Sequence, residues 1–134
     1  MSPRSPKGRP RARRFRVHEL PEKRFEAVRL RVLGAEVTGL EGKASVVHVR
    51  LPARGRHPSV VHPRTHEMVF IVSGRALGTL GRTRMVLRKG DAVSIPAGMR
   101  HAFVAGPRGV EALSLFSPPL RVDPPARTRK RTDG

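Results

Sequence analysis

The sequence predicts an all-β protein, because short apolar runs alternate with turn residues along the chain and no helix of three turns can be placed. In the segment 28–33, "VRLRVL", apolar side chains alternate with arginines. A second apolar run extends from Val46 to Leu51 and stops at Pro52. Alternation over about four to eight residues is typical of a half-buried strand. Several such strands at this spacing favour a β-sandwich or a β-barrel.

The remaining elements follow from the same pattern. The continuous run "EMVFIVSG" predicts a strand buried on both faces, and "ALGTLG" and "RTRMVLRKG" flank a tight hairpin turn at Gly81-Arg82. The strand in "DAVSIPAG" ends at Pro96, and "HAFVAG" and "VEALSLFSPP" are the last two predicted strands. Residues 20–30, "LPEKRFEAVRL", are the one segment with a helical pattern.

Charge and composition divide the chain into three parts. Its 134 residues suit one domain with one core. Of a formal net charge of +18, much lies in residues 1–16, with seven Arg or Lys and no acid, and in residues 121–134, with five basic and two acidic residues. Because these ends are rich in Pro and Arg and poor in apolar residues, we expect them to be disordered. The predicted organisation is a basic, largely disordered N-terminal tail over 1–26, one domain over 27–120, and a disordered basic C-terminal tail over 121–134.

The composition also excludes several classes of function. The chain has no cysteine, which excludes disulfides and thiolate metal sites. No apolar run approaches the roughly 18 to 20 residues of a membrane helix, so we expect a cytoplasmic protein without a membrane partner. Basic tails release counterions from phosphates and leave nucleic acid open as a partner. That partner is not favoured, because arginine greatly outnumbers lysine, as in a biased coding sequence, and no Trp or Tyr is present to stack on bases.

Two segments of the sequence contain the side chains that could bind a metal or a ligand. The first, "HPRTHEMVFIVSG", begins at His62, has Glu67 at the start of an apolar run, and ends at Gly74. The second begins at Gly90 and ends at His101, behind the turn residues Pro96, Ala97 and Gly98. Core strands rarely begin with ionisable groups, so these side chains are either metal ligands or the polar lip of a pocket.

The two windows resemble the two motifs of the cupin superfamily, G(X)5HXH(X)3-4E(X)6G and G(X)5PXG(X)2H(X)3N. The resemblance covers about residues 40–118 and implies a small single-domain, type-2, RmlC-like cupin. Its fold would be a double-stranded β-helix, that is, a jelly-roll β-barrel. The matching residues are His62, Glu67 and Gly74 in the first motif and Gly90, Pro96, Gly98 and His101 in the second.

What the resemblance implies for the site is a divalent transition metal held by His62, Glu67 and His101. Two departures from the motifs matter for the site: Val60 stands where the first histidine is expected, and Ala105 stands at the final asparagine. Two histidines and one carboxylate still form a recognised set, the facial triad of non-haem Fe(II) enzymes. Fe, Mn, Ni and Zn are all compatible with these ligands.

The other histidines are weaker candidates. His66 adjoins Glu67, so in a strand its side chain points to the opposite face. His57 would compensate for the missing histidine only if the chain before Pro58 turned it inward. His48 is expected to be a satisfied or exposed strand residue.

Three functions remain open on this sequence. The first is a metal-dependent enzyme, similar to an oxygenase or isomerase, with a pocket for a small polar organic substrate. The second is a metal-free small-molecule binder or sensor, and the third is a nucleic-acid-associated protein acting through its basic tails. No residue is identified as catalytic, and whether the protein is an enzyme stays open. The resemblance also implies a homodimer, for which residues 28–33 offer a strand that looks available for pairing.

Overall fold

The computed structural model describes residues 9–120, which form an antiparallel β-protein with very little helix. The prediction of an all-β chain is therefore confirmed. The helical segments are one 3-10 turn, Val17–Glu19, and one short helix, α1, Ala35–Thr38. The strands are β1 (Lys23–Phe25), β2 (Val28–Leu33), β3 (Ser45–Leu51), β4 (Arg56–Val60), β5 (His66–Leu80), β6 (Thr83–Arg88), β7 (Ala92–Ile95) and β8 (His101–Ser117).

Two long strands, β5 and β8, organise the barrel. They pair with each other along most of their length, with register shifts between Ile71 and Ser73 and between Gly74 and Ala76. One half of the pair continues into β3, β2 and β1 on one side and β7 on the other, whereas the other half is flanked by β4 and β6. The two halves form the two layers of a jelly roll, which confirms the predicted fold class.

The core lies between the two layers and consists of two neighbouring apolar clusters. One contains Val28, Leu30, Val47, Leu51, Ala105 and Phe116, and the other contains Val69, Ile71, Leu80, Leu87, Ile95 and Ala112. The members of each cluster alternate along their strands with residues on the outer face, as the pleat of a strand requires.

Three expectations about local structure were wrong. Residues 20–30 are not helical, because β1 and β2 form an antiparallel hairpin in which Phe25 pairs with Val28. The run "EMVFIVSG" is not buried on both faces, since Phe70 is 39% exposed and only one face of β5 meets the core. The last two predicted strands are one continuous strand, β8, because the pairing with β5 carries the chain through the register shift.

The domain boundaries of 27–120 stay a prediction from the sequence. The first strand of the sheet begins at Lys23. Residues 1–8 and 121–134, to which most of the predicted disorder refers, lie outside the described residues. Within residues 9–120, no helix is long and apolar enough to cross a membrane.

Gly74 is fixed by both its backbone conformation and its surroundings. It has a φ of +76°, and a Cβ built there would collide with the backbone carbonyl oxygen of Gly109. Gly90 also has a positive φ, +91°, but a Cβ there would meet nothing within 4 Å. The two positions therefore separate the cost of the left-handed conformation from the cost of a backbone clash.

We expect Gly74→Ala to lower the free energy of unfolding more than Gly90→Ala. Both variants incur the left-handed strain of about 1–2 kcal/mol, and Gly74→Ala also forces β5 away from β8. Urea unfolding of the two variants measures the difference. Equal losses would show that the approach of Gly74 to Gly109 does not constrain the fold.

Candidate metal centre

Glu67 reaches the barrel interior through the alternation of β5. It is the second residue of that strand and is only 6% exposed, whereas the preceding His66 is exposed. In the sheet Glu67 pairs with Ile95 of β7 and Phe116 of β8, both of which are buried. A carboxylate on this apolar inner face is costly to bury unless a partner or a metal compensates its charge.

His62 lies in the loop between β4 and β5, and backbone contacts hold that loop. The amide of Gly98 donates a hydrogen bond of 2.9 Å to the carbonyl of His62. The hydroxyl of Thr65 donates one of 3.2 Å to the carbonyl of Pro118. The first contact joins the two sequence windows directly, so the turn of the second window positions the histidine of the first.

His101 enters the site from the other side, as the first residue of β8. Before it, the amide of Met99 donates to the carbonyl of Pro96 at 3.2 Å, and Gly98 takes a φ of +85°. This Pro96–Gly98 bend turns the chain so that His101 points inward, where it is 3% exposed. The turn assigned from the sequence is present, and its positive φ accounts for the glycine.

The structure brings all three predicted ligands together. Glu67 Oε1 lies 3.2 Å from His101 Nε2 and 3.8 Å from His62 Nε2. One donor atom from each residue lies within 4.8 Å of the others. Bonds of about 2.0–2.2 Å to one ion place neighbouring ligand atoms roughly 3 Å apart. The separation of Glu67 and His101 already matches this spacing, whereas His62 would have to move closer for the three residues to hold one metal ion.

A backbone hydrogen bond fixes the tautomer of His101. Its Nδ1 donates to the carbonyl of Met99 at 3.0 Å, because a carbonyl oxygen can only accept. In the neutral ring Nε2 then has the lone pair that a metal would use, whereas in the charged ring Nε2–H donates to Glu67. Metal-binding histidines are commonly oriented by such a bond from their second nitrogen.

The two histidines respond differently to burial. Burial lowers the pKa of His62 and outweighs the attraction of the Glu67 carboxylate. Burial also acts to lower the pKa of His101, but its hydrogen bonds to Glu67 and to the Met99 carbonyl overcome this and raise the pKa. Without a metal, His101 thus holds a proton against Glu67 more readily than His62 does.

The triad lies in the wall of an interior cavity of about 280 Å³. Among residues 9–120, no Arg or Lys lines this cavity. The polar side chains that the described residues contribute to the lining are His57, His62, Glu67, His101 and Ser114. Valines, leucines and phenylalanines form most of the rest of this lining.

The other histidines divide between the two faces of the sheet. His66 is exposed and its Nε2 lies 2.6 Å from Ser94 Oγ, outside the triad, as the alternation of β5 predicted. His48 lies on the outer face too, with its Nε2 2.6 Å from Glu111 Oε2. His57, in contrast, lines the cavity. The sequence did not favour His57 as a site residue, because the following Pro58 indicated a loop rather than strand β4.

Val60 and Ala105 occupy the positions where the motifs were broken. Val60 lines the cavity and pairs with His101, so the side chain at position 60 lies on the same face as that ligand. Ala105 is 4% exposed and belongs to an apolar cluster. The position of the missing histidine is therefore beside the triad, whereas the position of the missing asparagine is part of the core.

The family model of the cupin domain, Cupin_2, matches residues 47–116, which is more than half of the chain. The chain belongs to the cupin family. The matched segment includes the whole triad and all of β5, β6 and β7.

The sequence is similar to part of one curated protein. It is an uncharacterized protein of Streptomyces coelicolor, 40% identical over 53 residues, which are 40% of this chain and 50% of that protein. The chain thus matches half of the length of this cupin's curated relative.

Solved structures share the fold at low sequence identity. KdgF from Halomonas sp. has a TM-score of 0.69 at 21% identity, covering 78% of this cupin and 93% of that chain. An RmlC-like cupin from Shewanella frigidimarina has a TM-score of 0.66 at 19% identity, covering 75% and 86%. The oxalate decarboxylase of Bacillus subtilis, described with Mn(II) centres, has a TM-score of 0.68 at 18% identity, covering 77% of this cupin and 28% of that chain. These likenesses establish the RmlC-like jelly roll.

We expect NMR titration of the metal-free protein to separate the histidines. The pKa of His101 should lie above 6.5 and that of His62 below it, because only His101 forms a close hydrogen bond with Glu67. Glu67→Gln should lower the pKa of His101, since the neutral amide removes the negative charge. A pKa of His101 that does not respond to Glu67→Gln would contradict this account of the pair.

Proposed function

We propose that this cupin binds one divalent transition metal through His62, Glu67 and His101 and uses the adjoining cavity for a small organic ligand or substrate. The observation that carries the proposal is the convergence of three ligand atoms within 4.8 Å in the wall of an interior cavity. When bound, the metal would supply Lewis acidity and open coordination positions. The chain's own residues would orient the ligand and exclude water.

The donor set restricts the metal without selecting one. Imidazole nitrogens suit Zn, Fe and Ni, and the carboxylate keeps the harder Mn ion compatible. An oxalate decarboxylase with Mn(II) centres shares the fold, which supports a metal in this position. With three protein ligands, the affinity should be lower than that of a site with a fourth histidine.

The cavity favours a ligand with one polar group and an apolar body. In the part of the chain that the structure describes, the ionisable side chains of the lining are the triad and His57, with no Arg or Lys to neutralise a second anionic group. A dicarboxylate or a sugar phosphate would leave a negative charge unpaired, which costs far more in an apolar environment than the roughly 2–7 kcal/mol of an unpaired neutral polar group. Oxygenase-like or isomerase-like chemistry on an apolar substrate is consistent with this lining.

A metal-free binder is the second candidate, and one observation favours it. His101 Nε2 and Glu67 Oε1 already lie at hydrogen-bond distance, 3.2 Å, so the pair satisfies itself without an ion. Val60 also removes the fourth ligand that the family motif contains. In this case His62 and His101 would bind the polar group of the ligand directly.

We also propose a homodimer, with the outer face of the larger sheet as its interface. That face has a row of apolar side chains, in which Met68 pairs with Leu115 and Phe70 pairs with Leu113. The strand first considered for pairing, β2, is unsuitable because β1 and β3 already pair with both of its edges.

A cytoplasmic location and nucleic-acid binding through the tails stay predictions from the sequence. Nucleic-acid binding is the less favoured of the two.

We expect Phe70→Glu to convert the dimer to a monomer, because it places a charge in the centre of this apolar row. Light scattering at micromolar concentrations measures the mass, with Val86→Glu on the opposite layer as the control. A monomeric wild-type protein would rule out the dimer.

We expect replacement of His62, Glu67 or His101 by Ala to abolish stoichiometric binding of Zn, Fe, Mn or Ni in calorimetry. His66→Ala is the matched control, because His66 adjoins Glu67 but lies on the exposed face. It should bind metal like the wild type. Loss of metal in His66→Ala, or no binding by the wild-type protein, would contradict the assignment.

We expect Val60→His to tighten metal binding by at least tenfold, because position 60 pairs with His101 and faces the same cavity. Val60→Leu controls for the added volume and should leave the affinity unchanged. If both variants bind metal with the wild-type affinity, the side chain at position 60 does not reach the ion.

A further inference from the structure

His57 is a polar residue of the cavity that the metal triad does not use. It lies on β4 and pairs with Phe103 of β8. Both side chains line the cavity, as expected for cross-strand partners on one face of a sheet. It is absent from the group of residues that could hold the metal.

The hydrogen bonding of His57 leaves one acceptor unused. Nδ1 lies 2.9 Å from the carbonyl oxygen of Pro58, which can only accept, so Nδ1 is the protonated nitrogen. In a neutral ring Nε2 then has a free lone pair. Among residues 9–120, no group hydrogen-bonds to this nitrogen.

Aromatic neighbours hold the ring in place. The ring centroid of His57 lies 6.4 Å from that of Phe25 and 6.3 Å from that of Phe103, both in edge-to-face arrangements. Such contacts are favourable and directional. The acceptor therefore lies on strand β4 between two phenylalanine rings.

The protonation of His57 agrees with this arrangement. Burial lowers its pKa, and this effect outweighs the bond to Pro58 and the attraction of Glu67. The ring is therefore neutral near pH 7 and acts as an acceptor at Nε2.

Phe103 places His57 in reach of the triad. Its ring lies 6.3 Å from the ring of His57 and 6.2 Å from that of His101. A ligand packed on Phe103 would therefore contact both sides of the cavity. At the His57 end it needs a donor, because a neutral Nε2 repels a carbonyl or a carboxylate oxygen.

We propose that His57 Nε2 accepts a hydrogen bond from a hydroxyl group of the ligand, and that the ligand is an uncharged, mostly apolar alcohol or phenol. This inference rests on the proposed use of the cavity for a small molecule, but it does not depend on the metal. It assigns His57 as a ligand-binding residue that selects hydroxylated molecules over hydrocarbons of the same shape.

The test uses phenol and toluene, which have nearly the same shape and differ in the hydroxyl group. NMR titration gives the dissociation constants for the metal-free and the Zn-loaded full-length protein. In His57→Phe, which keeps an aromatic ring, the ratio of the toluene constant to the phenol constant should fall by about three- to tenfold from the wild-type value, the range expected for one hydrogen bond. His66→Phe is the control and should keep the wild-type ratio.

An unchanged ratio in His57→Phe, or no binding of either compound to the wild type, would overturn the proposal. If His57→Phe does not fold, His57→Leu gives the same comparison. If zinc does not bind but the ratio still falls, the metal assignment is wrong and the role of His57 stands. If zinc binds and the ratio does not fall, the role of His57 is wrong and the metal assignment stands.

Discussion

The contact between the buried side chains of Glu67 and His101 is the interaction on which the interior of this cupin depends. A carboxylate that is 6% exposed and a histidine that is 3% exposed lie 3.2 Å apart inside an apolar barrel. Removing either partner would leave the other buried without compensation. The resulting loss of stability is larger than the stability that the intact pair contributes. The pair therefore has to be kept, and with His62 beside it the same groups that satisfy each other also form a set of metal ligands.

The arrangement is maintained by the backbone more than by the side chains. The bond from the Gly98 amide to the His62 carbonyl ties the turn before β8 to the loop before β5. The pairing of β5 with β8 then fixes the distance between Glu67 and His101. Because the ligands come from three places in the sequence, the site exists only when the jelly roll is closed.

The sequence alone predicted the fold and the triad for different reasons. Alternation and turn residues identified β2, β3 and β7, and the resemblance to the two cupin motifs identified His62, Glu67 and His101. Alternation could not show where strands join. The sequence therefore predicted two strands in place of β8, because its two apolar runs are separated by "GPRG". Pairing with β5 makes them one continuous strand. His57 was undervalued because Pro58 is a signal for loops, whereas β4 accommodates it at an irregularity of its pairing with β8. The sequence pattern of single strands could not predict that the cavity is mainly apolar, because its lining residues come from strands across the whole fold.

The central claim is that His62, Glu67 and His101 share one metal ion inside the barrel. A crystal structure of the zinc-loaded protein, with anomalous data collected at the zinc edge, tests it most directly. The account predicts one interior anomalous peak within about 2.0–2.2 Å of the Nε2 atoms of both histidines and of a Glu67 oxygen. Zinc bound only at surface residues such as His66, with Glu67 still paired to His101 and no interior peak, would contradict it.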